Sequence, residues 1–260
     1  MPPYLPPELI RNIVIQIECQ KTLAACCLTC RAWAPIAQSE YFRDLCFGQS
    51  PIKTTRFFEV IRESPHIALL PRSISSSQWN GVSEDGTYLA EIAPLLINVS
   101  SLYFISLYLA YHPSQDTRRL VQAFPSLREL YFVHCTIGLH TLSSFFQSHP
   151  ILRTLSIFGG DVASTTDQHQ GLLPLRQLQH LRLFNTTGHS PLIPLFVDCE
   201  SPLASIEHLE LVSRSKSDTT ANHTLLFGLR HTLHVLEVNL TSLLEETDNG
   251  ACISILSLLG

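Results

Sequence analysis

The chain has 260 residues, of which 45% are hydrophobic and 15% charged, and a formal net charge of −5. That apolar balance excludes a disordered chain, and the length allows one or two domains with cores of their own. A mildly acidic chain with no Lys/Arg-rich block also lacks a source for the counterion release that drives binding to phosphate backbones, so nucleic acid is not an expected partner.

The first residues, Met1-Pro2-Pro3-Tyr4-Leu5-Pro6-Pro7-Glu8, carry neither the basic n-region nor the apolar h-region of a signal peptide. A cytoplasmic or nuclear protein is expected, and its eight cysteines are read as reduced thiols. The sequons at Asn98, Asn185, Asn222 and Asn239 are then chance matches in a Ser/Thr-rich chain.

From Leu5 a helix is predicted, because Pro6 and Pro7 fit a first turn and Glu8 suits the positive end of the dipole. Leu9, Ile10, Ile13, Val14 and Ile17 recur at helical spacing. A second run, Leu23-Ala24-Ala25-Cys26-Cys27-Leu28, is rich in small residues, and Arg31-Ala32-Trp33 leads into a third helix ending near Gln38. So small a three-helix core is marginal alone and leans on a neighbour or a partner.

Residues 4–47 resemble the F-box family through Leu5-Pro6-x-Glu8-Leu9-Ile10, then Leu23, Cys26, Leu28, Cys30-Arg31-x-Trp33 and Tyr41-Phe42-x-x-Leu45. The resemblance implies docking on a Skp-type adaptor and, through it, on a cullin-RING ubiquitin ligase. It implies Leu5, Pro6, Leu9 and Trp33 as adaptor contacts, with Ile10, Ile13 and Leu28 in the core. The cysteines of the second helix stand where the family more often has larger aliphatics. Cys27-x-x-Cys30 with Cys19 and Cys46 has poor spacing for a zinc site, and small buried hydrophobes are the simpler reading.

Residues 56–63 read as a bridging helix before Pro65, residues 67–74 as a degenerate first repeat, and residues 75–86 as a turn-rich loop. Residues 92–111 hold no Asp, Glu, Lys or Arg and are long enough to span a bilayer. Pro94, Asn98 and three serines within the run argue against a span, and a repeat phase explains its leucines.

That phase is apolar-x-x-apolar-x-apolar: Val99-Leu102-Phe104, Leu127-Leu130-Phe132, Leu152-Leu155-Ile157, Leu178-Leu181-Leu183, Ile206-Leu209-Leu211 and Leu233-Leu236-Val238. The first residues are 28, 25, 26, 28 and 27 apart, within the range of leucine-rich repeats. Cys135, Thr186 and Thr241 place the expected small or polar residue three positions after the last apolar one; Leu107 and Arg214 do not fit there. Helices are predicted over residues 114–124, with Ser114 as N-cap, and 138–148. Each repeat is strand, turn and helix, and only stacking buries its apolar side.

Alternation puts Tyr103, Tyr131, Ser156, Arg182, Glu210 and Glu237 on the concave face, beside Ile105, Val133, Phe158, Phe184, Val212 and Asn239. Two readings of the second, mostly apolar set stand: a stripe that holds a protein ligand, or residues covered by loops at the sheet edge. The candidate substrate contacts are Tyr103, Tyr131, Val133, Phe158, Phe184 and Val212.

The sequence lacks a phosphate-binding loop, a dinucleotide fingerprint, a nucleophile elbow and a His-Glu-x-x-His motif, so no enzyme, cofactor or metal site is expected. His231-x-x-His234 sits partly in a strand, where ligands three apart face opposite sides. The C-terminal stretch, residues 252–259, is apolar with no evident cap, which predicts a truncated or covered end.

The expected architecture is an α/β solenoid: an F-box-like helical module over residues 1–48, a linker helix over 49–64 and a leucine-rich-repeat horseshoe over 65–260. The expected function is substrate recognition for an SCF-type ligase, with an unknown protein as substrate. The alternative is a repeat scaffold without a ligase role, its N-terminal helices merely capping the repeats.

Overall fold

The computed structural model describes residues 5–47, 51–77, 91–109, 122–163, 177–187, 192–196, 205–212 and 218–239. Three helices come first: α1 (Pro7–Val14), α2 (Gln20–Thr29) and α3 (Ala34–Tyr41). They close around Ile10, Val14, Leu23 and Ala37, a core distinct from that of the rest of the chain. Pro6 caps α1 with its carbonyl, which accepts from the Leu9 and Ile10 N–H groups at 3.0 and 3.2 Å.

An α/β fold follows, built on an open, wholly parallel nine-stranded sheet. The strands are β1 (Asp44–Phe47), β2 (Ser73–Ser76), β3 (Ser101–Ile105), β4 (Tyr108–Leu109), β5 (Glu129–Gly138), β6 (Thr154–Ala163), β7 (His180–Thr187), β8 (His208–Val212) and β9 (Val235–Asn239). Neighbours in the sheet follow chain order, with β4 beside β5. Parallel neighbours require a crossover at each step. Helix α4 (Pro51–Glu63) makes the first, α5 (Leu139–Ser148) a middle one, and α7 (Asp218–Leu229) the last; α6 (Ile193–Phe196) is a single turn.

The sheet begins earlier than the sequence pattern predicts, because residues 44–47, expected to close the helical module, form its first strand. Residues 51–63, expected as a linker, are the crossover between β1 and β2, with Phe57 and Ile61 in the large core. Tyr41 and Phe42 join the two cores: their rings meet edge to face at 4.9 Å, Tyr41 against the small cluster and Phe42 against the large one.

Register accounts for the large core. Leu45, Ile74, Leu102, Leu130, Leu155, Leu181, Leu209 and Leu236 are successive Cα partners, and so are Phe104, Phe132, Ile157, Leu183, Leu211 and Val238. Each fully buried leucine or phenylalanine contributes about 1.5–3 kcal/mol. Phe145 of α5 packs edge-on against Phe104 and Phe132 at 5.6 and 6.0 Å.

Strand entry repeats as regularly. The carbonyls of Arg43, Arg72, Ser100, Arg128, Arg153, Gln179 and Glu207 each accept two N–H groups from the next repeat, at 2.8–3.1 Å. Strand exit is kinked at one register level: Ser106, His134 and Gly159 all have φ near +55°. Beyond the kink the buried Cys135 thiol accepts from the Leu107 N–H and donates to the Phe104 carbonyl, both at 3.4 Å. An otherwise orphaned backbone donor is satisfied there.

Residues 92–109 form a 3₁₀ turn (Ala93–Leu95) and strands β3 and β4, and no helix among the described residues is long and apolar enough to cross a membrane. The helix expected at 138–148 is α5. The Ser114-capped helix, most of the 75–86 loop, Arg214, Thr241 and the apolar residues 252–259 lie outside the described residues.

Candidate functional site

Two surfaces collect the candidate residues. On the helical module, Leu5, Leu9 and Ile13 follow one another at four-residue spacing along α1 and its approach, with exposures of 43, 49 and 45%. Pro6, the N-cap, is exposed as well. Trp33 is half-buried against the small core and caps α3, its carbonyl accepting from the Ala37 N–H at 2.8 Å.

Two residues expected in the core are not there. Ile13 is nearly half exposed and Leu28 is 87% exposed. The cause is helical geometry. Ile10 and Val14 occupy the inward stripe of α1, leaving Ile13 beside Leu9, and Leu28 lies five residues beyond the buried Leu23, about 140° round the helix. Leu5, Leu9, Ile13, Ile15 and Leu28 thus stand exposed within one small module. Cys19 and Cys30 are exposed, and Cys26 and Cys27 are partly buried.

The second surface is the sheet face turned away from the helices. Register brings Tyr103 beside Tyr131, and Val133, Phe158, Phe184 and Val212 into the adjoining column; all six are half-buried. The tyrosine rings stack at 4.2 Å and 2°, and those of Phe158 and Phe184 at 4.6 Å and 21°. The Glu129 carboxylate ties the tyrosine end together, accepting from Ser101 Oγ at 2.7 Å and from the Tyr131 hydroxyl at 3.2 Å. Burial, reinforced by the Glu129 charge, raises the Tyr131 phenol well above its ordinary range, and burial raises Tyr103 too. Ser156, between Tyr131 and Arg182 in register, is fully buried with its hydroxyl unpaired among the described residues.

Charge replaces aromaticity toward the C-terminal strands. Arg182 Nε lies 3.2 Å from a Glu210 oxygen, and His208 Nε2 lies 3.5 Å from a Glu237 oxygen. His208, Glu210 and Glu237 bring ligand atoms within 4.8 Å of one another, the one such group of three among the described residues. The Arg182 guanidinium lies against Glu210, so one carboxylate of the three already has a cationic neighbour. His231 is engaged by the Arg230 Nε–H at 3.0 Å.

Sequence reasoning missed the exposure of Ile13 and Leu28 and the alignment of arginines at strand entry. The signal for the alignment was present, since each arginine stands two residues before an inward-facing residue of its strand.

No protein-family model matches the chain, and a search of curated proteins finds no significant match.

Proposed function

We propose that the chain is a substrate-recognition adaptor of an SCF-type cullin-RING ubiquitin ligase. The helical module would dock on a Skp-type adaptor through Leu5, Pro6, Leu9 and Ile13, with Trp33 bracing the surface. The sheet is read as a leucine-rich-repeat solenoid whose open face, from Tyr103 to Val212, holds a protein substrate.

The observation that carries the reading is the pairing of an F-box-like sequence with exposed leucines and isoleucines on the same short helices. Apolar side chains on a module with its own small core are costly unless a partner covers them. The repeat reading draws on constant register over eight strand positions and on the side-chain bond of Cys135 to the preceding repeat.

The test is tagged expression in cells followed by identification of co-purified proteins. A Skp-type adaptor and a cullin are expected with the wild-type chain and absent with Leu9→Asp/Ile13→Asp. Partners captured without either component would favour the repeat scaffold without a ligase role.

A further inference from the structure

We infer that the sheet edge where the strands begin is a docking rim for a short acidic segment, rich in Asp and Glu, of a partner protein. The rim is the column Arg43, Arg72, Ser100, Arg128, Arg153, Gln179, Glu207 and His234. Its alignment is set by the backbone: each residue up to Glu207 accepts the same pair of hydrogen bonds from the next repeat. The four arginines therefore leave the protein at equivalent points of strands β1, β2, β5 and β6 and are exposed. Arg43 contacts Glu40 at 3.2 Å with its side chain still 55% exposed, and no ion pair among the described residues engages Arg72, Arg128 or Arg153.

Like charges on adjacent strands are destabilising, yet Arg43 neighbours Arg72 and Arg128 neighbours Arg153. Asp44 and Glu129 lie one position further along in the adjoining column, but no ion pair among the described residues joins either to an arginine of the rim. Exposed guanidiniums at strand spacing suit carboxylates, which they hold through paired hydrogen bonds.

The rim's extent favours a short protein segment over nucleic acid. From β1 to β6 are four strand steps, about 19 Å or six extended residues. Beyond them the column turns to the exposed Glu207, which would repel a longer polyanion. The inference holds whether or not the helical module binds a ligase adaptor, and it adds a charge requirement to substrate capture.

The experiment is fluorescence anisotropy at low salt with the full chain and four labelled probes. These are a twelve-residue Glu/Ser peptide, its Gln/Ser counterpart, a phosphoserine version and a twelve-nucleotide oligothymidine. The Glu/Ser peptide should bind at least about fivefold more tightly than the neutral one and weaken as salt rises. Arg128→Gln/Arg153→Gln should remove that difference without lowering the melting temperature, because it relieves repulsion. Equal binding of the charged and neutral peptides, tighter binding of oligothymidine or of the phosphoserine peptide, or a drop in melting temperature in the double variant would overturn the inference. Adaptor capture by the same double variant stays at the wild-type level in either case, so failure here is separable from failure of the ligase reading.

Discussion

Gly160 shows how tightly neighbouring repeats constrain single residues. Its φ is +138°, and a Cβ there would stand 2.2 Å from the Cys135 carbonyl oxygen of the adjacent strand. Backbone cannot move aside cheaply, so Gly160→Ala should destabilise by about 3 kcal/mol or more in urea unfolding. At Gly159, φ is +56° and the obstruction is the His134 ring at 2.7 Å, a side chain able to turn away. Gly159→Ala should therefore cost less, about 1–2 kcal/mol. Equal costs at the two glycines would contradict the tight approach of β6 to β5. None of this was legible in the sequence: Ser106, His134 and Gly159 share a left-handed backbone without sharing a residue type, so no pattern marks the kink.

His149 supplies a pH test at the same scale. It is buried behind α5, with Nδ1 3.0 Å from the Phe145 carbonyl, and burial lowers its pKa from the ordinary 6.5. The folded state therefore favours the neutral ring. Its contribution to stability is present in full above the unfolded value of 6.5 and is lost as pH falls below it toward the lower folded value. Melting temperature should decline on acidification from pH 7 to pH 5, and His149→Gln should flatten that decline. An unchanged slope in the variant would show that other groups set the acid limit.

At the scale of elements, α1 and the paired strands make separable predictions. Leu9 and Ile13 project from α1, so Leu9→Asp/Ile13→Asp should leave the melting temperature within about 2 °C of wild type while abolishing adaptor capture. Trp33→Ala is a poorer probe because it also strips the small core. On the sheet, Phe184→Asp breaks the stack with Phe158, worth about 0.5–1.5 kcal/mol, and sets a charge in the aromatic column. Loss of substrate capture with retained adaptor binding is expected. Destabilisation beyond about 3 kcal/mol would place Phe184 in the core instead.

Element identity was largely readable because one period ran through six copies: the residues chosen as inward-facing, from Leu102 to Val238, are Cα partners in the sheet. Strand β1 escaped because Leu45 and Phe47 are two apolar residues after a helix, too few to declare alternation. The faces of the short helices escaped for a related reason. In α1, inward and outward apolar residues sit side by side, and only tertiary packing tells Ile10 from Ile13.

Across the whole molecule, the parts divide by core. A small cluster holds three helices that expose apolar residues, and a large one runs the length of the sheet, with Tyr41 and Phe42 as the hinge of contact between them. On the proposed reading the first part holds the ligase and the second holds what is to be modified, and because each rests on its own core the two surfaces can be altered separately. That independence is what makes the reading testable with single-surface variants.

The most direct measurement is titration calorimetry of the purified chain with a purified Skp-type adaptor, alongside Leu9→Asp/Ile13→Asp and Phe184→Asp. One-to-one binding is expected for the wild-type chain and for Phe184→Asp, with at least about a 30-fold loss in Leu9→Asp/Ile13→Asp, as removal of buried anchors at an interface gives. No heat of binding from a folded wild-type chain, or equal affinity in all three proteins, would contradict the proposed reading.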